Sequence, residues 1–460
     1  MNRDKTILFH AGLNLQESGN LSDLGFQHGL MPVRYLGLPL MHRKLRRADY
    51  SPLIDKIKAR LHHWTVKCLS FAGRLQLITS VVYSLVNFWL SAFALPKGCL
   101  KEIQSLCARF LWAGDIDKKA AAKVAWTNLC LPKSEGGLGL RDFVRWNKVL
   151  NLKLLWLIIS GSGSLWVAWN KEHMLRGKSI WVVDAHNTSS WIWKFILSLR
   201  PLAKGLVSCK IGDGNQASFL FDHWTPHGPL IEFVGSSGPR LIGVPIEAKV
   251  SQAVITSGWR LPSPRSRSES LLALRQTLCT TPAPQLSRGP DSFRWGPPNA
   301  TSTRFSTKIA WDQLRSPAPK VTWAKIVWFK GSIPKQAFHF WIANMDRLPV
   351  RARLVSWGMN ISHLCCLCNL ETETRDHLFL HCEVADQLWN LVLGRLGLPT
   401  FIFHNWSALV AWLSSRSSGT SPKLKLMAAQ GTVYYLWRER NNRLFKSTSI
   451  PASVICSNLP

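Results

Sequence analysis

Acidic residues are scarce in this chain. Across 460 residues there are 26 Asp and Glu against 57 Lys and Arg, a formal net charge of +31. A surface so unbalanced repels copies of itself and favours a polyanion, with nucleic acid the first candidate and an anionic membrane surface the second. No two aspartates are adjacent anywhere in the sequence. No G-x-G-x-x-G run opens a helix, so a dinucleotide fingerprint is missing as well. The first residues, MNRDKTILFHAG, carry no apolar leader stretch of the secretory kind. Cysteines 68, 99, 107, 130, 209 and 279 stand singly at wide intervals. That pattern is no secreted disulfide framework and points to reduced thiols in nucleus or cytosol. No local grouping of Ser, His and Asp singles out a nucleophilic triad.

Against this background one short stretch, CCLCNLETETRDHLFLHC, concentrates metal-binding side chains. Cys365, Cys368, His377 and Cys382 fall at C-x₂-C-x₈-H-x₄-C, the spacing of a closed tetrahedral zinc site. Four filled positions leave no place for a water, so the expected metal is structural zinc. Two neighbours compete. Cys366 sits inside the CxxC turn, where its side chain should point away. His381 in place of Cys382 gives C-x₂-C-x₈-H-x₃-H, which is also workable.

A hydrophobic content of 46% with 23 tryptophans excludes a disordered chain. Apolar periodicity predicts helices over 50–63, 70–94 and 100–112, the second ended by Pro96. Residues Leu75 to Leu95 are uncharged, yet Gln76, Ser80, Ser84, Asn87 and Ser91 form a polar stripe, which suits a nearly buried core helix rather than a membrane span. Between Arg34 and Arg74 lie ten Lys and Arg against Asp49 and Asp55. Arg43, Lys44, Arg46, Arg47, Lys56, Lys58, Arg60, Lys67 and Arg74 are the candidates for nucleic-acid contacts, through backbone phosphates and without base reading. The run HRKLRR also suits a nuclear-import patch.

Further along, PKSEGGLGLR (Pro132 to Arg141) reads as a turn-rich hinge before an apolar helix over 147–159. Val207 to Trp224 reads as two short strands joined by a Gly-Asp-Gly turn, with Asp213 and Asp222 as a turn and a strand-end residue rather than a catalytic pair. Residues 235–298 are rich in Pro, Ser and Gly, with one short helix near 271–278. Pro334 opens a helix whose Phe338, Trp341 and Ile342 stripe reads as core. A last helix covers Leu424 to Phe445 and ends in WRERNNRLFK.

Taken in order, several of these segments resemble the distal half of a plant LINE-type (non-LTR) retrotransposon reverse transcriptase. YLGLPL (Tyr35 to Leu40), LSFAGRLQLI (Leu69 to Ile78) and FLWAG (Phe110 to Gly114) resemble the segment C-terminal to the polymerase palm. EGGLGLRD and IGDGNQASFLFDHW resemble the region after it. IPKQAFHFWIANMDRLPVRARL with the Cys/His cluster is similar to the family's reverse-transcriptase zinc-binding domain, and WRERNNRLF to its tail. In the family a Tyr-x-Asp-Asp turn holds the catalytic metals. That motif is missing here, while Asn2 and Lys5 resemble the element after it.

The resemblance implies a fold that is mainly α with small β elements. Its parts are a helical thumb-like bundle, an irregular middle region and a small zinc-stapled helical domain. The implied divisions are 1–120 (end of palm and thumb-like helical region), 121–234 (connecting region with a short β-hairpin), 235–304 (Pro/Ser-rich linker), 305–395 (reverse-transcriptase zinc-binding domain) and 396–460 (C-terminal helical tail). The expected function is that of a non-catalytic, nucleic-acid-binding remnant gripping RNA, DNA or hybrid duplex, with no membrane, located in nucleus or cytoplasm. The alternatives are a zinc-dependent protein-interaction module, or a polymerase subunit active only with a separate palm.

Overall fold

In the computed structural model, residues 6–9, 13, 25–29, 31–41, 43–65, 69–118, 121–256, 258–415 and 421–459 are described. Among them the fold is mainly helical, and the strands form four two-stranded pairs. Two units can be distinguished, each discontinuous in sequence. One takes Met1–Pro52, Val86–Leu100 and Phe143–Ser316; the other takes Leu53–Leu85, Lys101–Asp142 and Pro317–Pro460.

In the first unit, YLGLPL folds as a hairpin. Val33–Tyr35 pairs antiparallel with Leu38–Leu40 across Leu36 and Gly37, both at positive φ as a two-residue turn of this kind requires. The core is built on helix Phe143–Ser160, which buries Phe143, Trp146, Val149, Leu152, Leu155, Trp156 and Ile159 at helical spacing. Two buried asparagines on the same helix do a second job. Asn147 donates to the carbonyls of Leu90 and Phe93, and Asn151 to that of Leu90. Those carbonyls lose their helical partners where helix Tyr83–Ala92 ends before Pro96, so the amides satisfy them. Trp146 meets Trp311 of helix Thr307–Leu314 edge-on at 5.7 Å.

Strand Val207–Lys210 differs from expectation. Its ladder partner is Ser292–Trp295, antiparallel, while the segment after its own Gly-Asp-Gly turn reaches it through the Cys209 N–H, which donates to the His223 carbonyl at 2.7 Å. The partner alternates strictly, burying Phe293 and Trp295. That period-two signal is short and lies within Pro- and Ser-rich surroundings. Within 235–304 the helix expected near 271–278 is present as Glu269–Thr280, and a second, Gly238–Ile242, was not expected.

In the second unit, helix Pro334–Asn344 lies between helix Phe71–Leu77 and the long helix Pro422–Lys446. Its predicted stripe is core. Phe338, Trp341 and Ile342 are buried, and Phe338 stacks on Phe71 at 5.4 Å. The Trp341 indole donates to the carbonyl of Gly136 in the EGGLGLRD turn. A Cβ at Gly137 would collide with the carbonyl oxygen of Leu131, so glycine is required there. Glu135 accepts the backbone N–H of Ala318, and together these contacts make the motif a folding joint.

The apolar stretch Phe71–Ala92 is long and apolar enough to cross a bilayer by composition. Its polar stripe faces water at Gln76, Ser80, Ser84 and Ser91 while Ile78, Val82, Val86 and Leu90 are buried, so one face packs on the core. With 33% of its apolar window buried and Phe88 exposed, it is less buried than expected.

Candidate metal centre

The Cys/His stretch folds as a knuckle followed by a π turn. Leu364 and Thr372 form an antiparallel bridge, and Cys365 N–H donates to the carbonyl of Glu371 at 2.7 Å. Between them the chain turns back on itself. Asn369 occupies the left-handed region at φ 57, which asparagine tolerates better than other side chains, and its N–H closes on the carbonyl of Cys365. The N–H of Leu367 points at the Cys365 sulfur, 3.4 Å away.

The other two side chains come from one backbone device. Residues His377–His381 form a π-helical turn, closed by Cys382 N–H donating to the His377 carbonyl at 2.7 Å. In an α-helix, residues five apart point roughly 140° away from each other at 3.6 residues per turn. The wider i→i+5 turn brings His377 and Cys382 toward the same point.

The ligand atoms of Cys365, Cys368, His377 and Cys382 all lie within 4.8 Å of one another. Cys365 and Cys382 sulfurs are 3.9 Å apart, and Cys368 Sγ is 3.3 Å from His377 Nε2. A tetrahedron with Zn–S near 2.3 Å and Zn–N near 2.0 Å has edges of roughly 3.5–3.8 Å, so the donor set fits zinc in both chemistry and size. Cys365 directs its S–H at Cys382; this contact and burial push its own pKa up, while Cys382 is lowered by receiving that hydrogen. Thiolates at this separation repel, and a dication is what lets them ionise together. On the outer side, His377 Nδ1 lies 2.9 Å from Oε2 of exposed Glu371, poorly aligned for a formed hydrogen bond but placed to orient the ring once its other nitrogen holds metal.

The two competitors are engaged elsewhere. His381 Nε2 is 3.0 Å from the carbonyl oxygen of Phe403. Cys366 is buried beside Glu373, and burial followed by that carboxylate pushes its thiol up to about 11.

A fully buried ion pair braces the knuckle, and sequence reasoning missed it. Glu373 accepts from Arg440 Nη2 at 2.8 Å and Nε at 3.2 Å, and from the backbone N–H groups of Arg351 and Cys366. Burial would raise this carboxyl, yet Arg440 and the two amides hold it below its ordinary value. One turn on, Arg443 donates to the carbonyl of Leu367 inside the CxxC turn. The WRERNNRLF run of helix Pro422–Lys446 is thus the knuckle's outer clamp. A signal for it existed: Arg440 continues the buried Val433 and Leu436 stripe.

The basic candidates have different surroundings. Arg43 is bidentate on Asp49, at 2.6 and 3.0 Å. Lys44 lies over the Trp191 ring. Arg74 turns inward, donating to the Leu111 carbonyl, and burial lowers its pKa. Arg46, Arg47, Lys56 and Arg60 are exposed, and Lys58 is half-buried. Lys67 lies outside the described residues, as do Asn2 and Lys5. The helix carrying Lys56 and Arg60, Arg47–Thr65, starts ahead of its expected position, so Pro52 falls inside it. Proline lacks an N–H for the Ala48 carbonyl, which accepts the Ser51 hydroxyl instead.

Asp213 accepts the backbone N–H of Asn215 in its own turn. Asp222 is buried, accepting from Trp181 Nε1 and the N–H of Ser218, and burial raises its pKa. The glycine loop between them has its own anion. Asp291 accepts four backbone N–H groups, those of Gly212 and Gly214 on one oxygen and Gln216 and Ala217 on the other.

Comparison with known proteins agrees with this geometry. Residues 305–389 match the family described as zinc-binding in reverse transcriptase, and the four-ligand cluster lies inside that span. The chain is 25% identical over 362 residues to a putative ribonuclease H protein of Arabidopsis thaliana, covering 76% of this chain and 57% of the relative. It therefore spans a little over half of that protein's length. Both matches accord with the resemblance to plant retrotransposon reverse transcriptases carried by the motifs.

Proposed function

We propose that this retrotransposon-derived, reverse-transcriptase-like chain holds nucleic acid by its backbone and does not by itself synthesise it. The observation that carries the reading is the charge excess of +31 together with the exposed cations of helix Arg47–Thr65. Lys56 and Arg60 stand four residues apart, one helical turn, so both face the same side. Such a face follows phosphates without reading bases, as a duplex grip requires. Arg43 and Arg74 are consumed by internal contacts, which narrows the surface to the exposed members of the run. The zinc knuckle is structural in this reading, with a reduced nuclear or cytoplasmic setting to keep its thiols free. The sequence lacks adjacent aspartates, so it offers no paired carboxylates of the polymerase kind.

The test is the salt dependence of duplex binding by the zinc-loaded full chain between 50 and 200 mM salt. Each phosphate neutralised contributes about 0.9 to the log–log slope, so K56A/R60A lowers it by about 1.8. A flat response in the parent protein removes the reading. Primer extension with divalent metal should give no product; incorporation refutes the non-catalytic part.

One observation favours a second reading, a zinc-dependent protein-interaction module. Just before the knuckle, Val355, Trp357, Met359 and Ile361 are all exposed, Trp357 at 62%. Four exposed apolar side chains on one short segment suit a protein partner better than a phosphate backbone. A flat salt response would move the assignment there.

A further inference from the structure

The first unit contains an open cleft of about 820 Å³ that plays no part in the duplex grip. Its wall is formed by helix Leu165–Trp169, the π turn Asn170–Leu175 that continues it, and helix Trp191–Ser198 with the segment before it. Trp166 and Trp169 line it while 37% and 55% exposed, and Trp169 sits 5.1 Å from the His173 ring. Large rings standing free on a cleft wall are uncommon unless something covers them. The π turn stops at Arg176, in the left-handed region; Arg176, whose Nε donates to the His173 carbonyl, and Lys178 line the cleft against one lining acid, Asp184.

A second pocket of about 290 Å³ shares the lining residues Leu175 and Lys178 with the first and so adjoins it. It collects Lys171, Lys178 and Lys249. Burial and then the charge of Lys249 lower the Lys171 pKa, the mark of two ammonium groups facing one space. The acid at this pocket, Asp222, already accepts two hydrogen bonds from the protein. The pair of pockets thus offers flat aromatic faces beside converging cations.

We propose that these two adjoining pockets bind single-stranded nucleic acid, with bases stacked on Trp166 and Trp169 and the following phosphates held chiefly by Lys178 and Lys171. Arg176 and Lys249, which also donate to the carbonyls of His173 and Gln216, add positive charge. Stacking on a side chain needs an unpaired base face, which a duplex does not present, whereas every base of a single strand offers one. Stacking platforms beside a cationic track are the general solution for strands bound without sequence preference. The site shares no residue with the helix Arg47–Thr65 face and is tested independently of it.

The experiment measures binding of fluorescent oligo-dT and oligo-U of about twelve nucleotides, and of a duplex of the same length, to the zinc-loaded full chain. W166A/W169A should weaken both single strands by roughly tenfold or more, while duplex affinity stays within twofold. K171A/K178A should lower the single-strand salt slope by about 1.4. These side chains are exposed, and unchanged melting curves confirm intact folding. Should the tryptophan variant melt early, the lysine variant decides. Single-strand affinity and slope that match the parent in the folded variants overturn the proposal, as does a parent protein that binds no single strand. Loss of duplex binding alone removes the helix-face reading and leaves this one standing.

Discussion

Replacing Glu373 with Gln puts the zinc module's buried clamp to the test. The side chain has no exposed surface and Arg440 is 3% exposed, so solvent screens neither charge. E373Q keeps the shape but leaves the guanidinium buried without a counter-ion, and turns an NH₂ toward donors that previously met oxygen. Removing one partner of a buried pair costs about 3–5 kcal/mol. The contacts tie three segments together: the backbone of Arg351, the CxxC turn at Cys366, and helix Pro422–Lys446. A knuckle this small folds with its metal, so lost packing energy appears as lost metal affinity. The low end, about 3 kcal/mol, corresponds to a zinc affinity roughly 150-fold weaker.

Competition between the purified full chain and a calibrated chelator at neutral pH reads that number directly. The double variant E373Q/R440M should recover much of the loss, because the unpaired charge is gone and the Gln oxygen still accepts one amide. Zinc affinity of E373Q within threefold of the parent refutes the reasoning, and so does a double variant whose loss equals the sum of the singles. Because the folded state lowers this carboxyl, the pair's contribution is complete above the ordinary value of 4.5 and is lost as pH falls through the lower folded value.

Three other perturbations have definite outcomes. C382S should lose bound zinc in metal analysis while H381A keeps one equivalent; the reverse would place the fourth ligand on His381. Burial and then Lys123 push His339 down to about 3, so its neutral form is the folded one, and stability is complete above 6.5 and declines as pH falls toward 3. At pH 5 the parent has lost about 2 kcal/mol by this route. H339L should show a smaller drop in denaturation midpoint between pH 7 and 5, and equal drops in both proteins would dismiss it. D291N leaves one oxygen for four loop amides and should cost about 2–4 kcal/mol, read as a lower melting temperature of the first unit. An unchanged melt would mean the loop holds itself.

The features legible in the sequence were those whose signal is local. Helix Phe143–Ser160 and the Phe338–Trp341 stripe come from apolar spacing, and the four zinc ligands from spacing within eighteen residues. What decided Cys382 over His381 was a π turn, a hydrogen-bond pattern that composition does not encode. Strand Val207–Lys210 has a ladder partner more than eighty residues on, Ser292–Trp295, whose short alternation burying Phe293 and Trp295 carries no signal of which strand it will meet. Glu373 and Arg440 each sit in a charged stretch, ETETRD and WRERNNR, with nothing local to single them out. Only their shared burial, far apart in sequence, makes them a pair.

That buried pair changes how the net charge of this chain should be weighed. Arg440 and Arg443 are held by the knuckle, Arg74 by the end of helix Lys97–Ala113, Arg43 by Asp49, and Arg200 by the carbonyls of Ile180 and Val183. These cations are spent on folding and are not available to a polyanion. An arginine serves such sites because its planar fork meets several oxygens at once, whereas lysine carries a compact charge that stays hydrated. The cations left for phosphate are therefore the ones at exposed helix positions and in open clefts, Lys56, Arg60, Lys171 and Lys178 among them. A charge-reversal series should separate the two groups: variants at the exposed positions lower the salt slope of binding and leave the melt alone, while R440E and R74E lower the melt first.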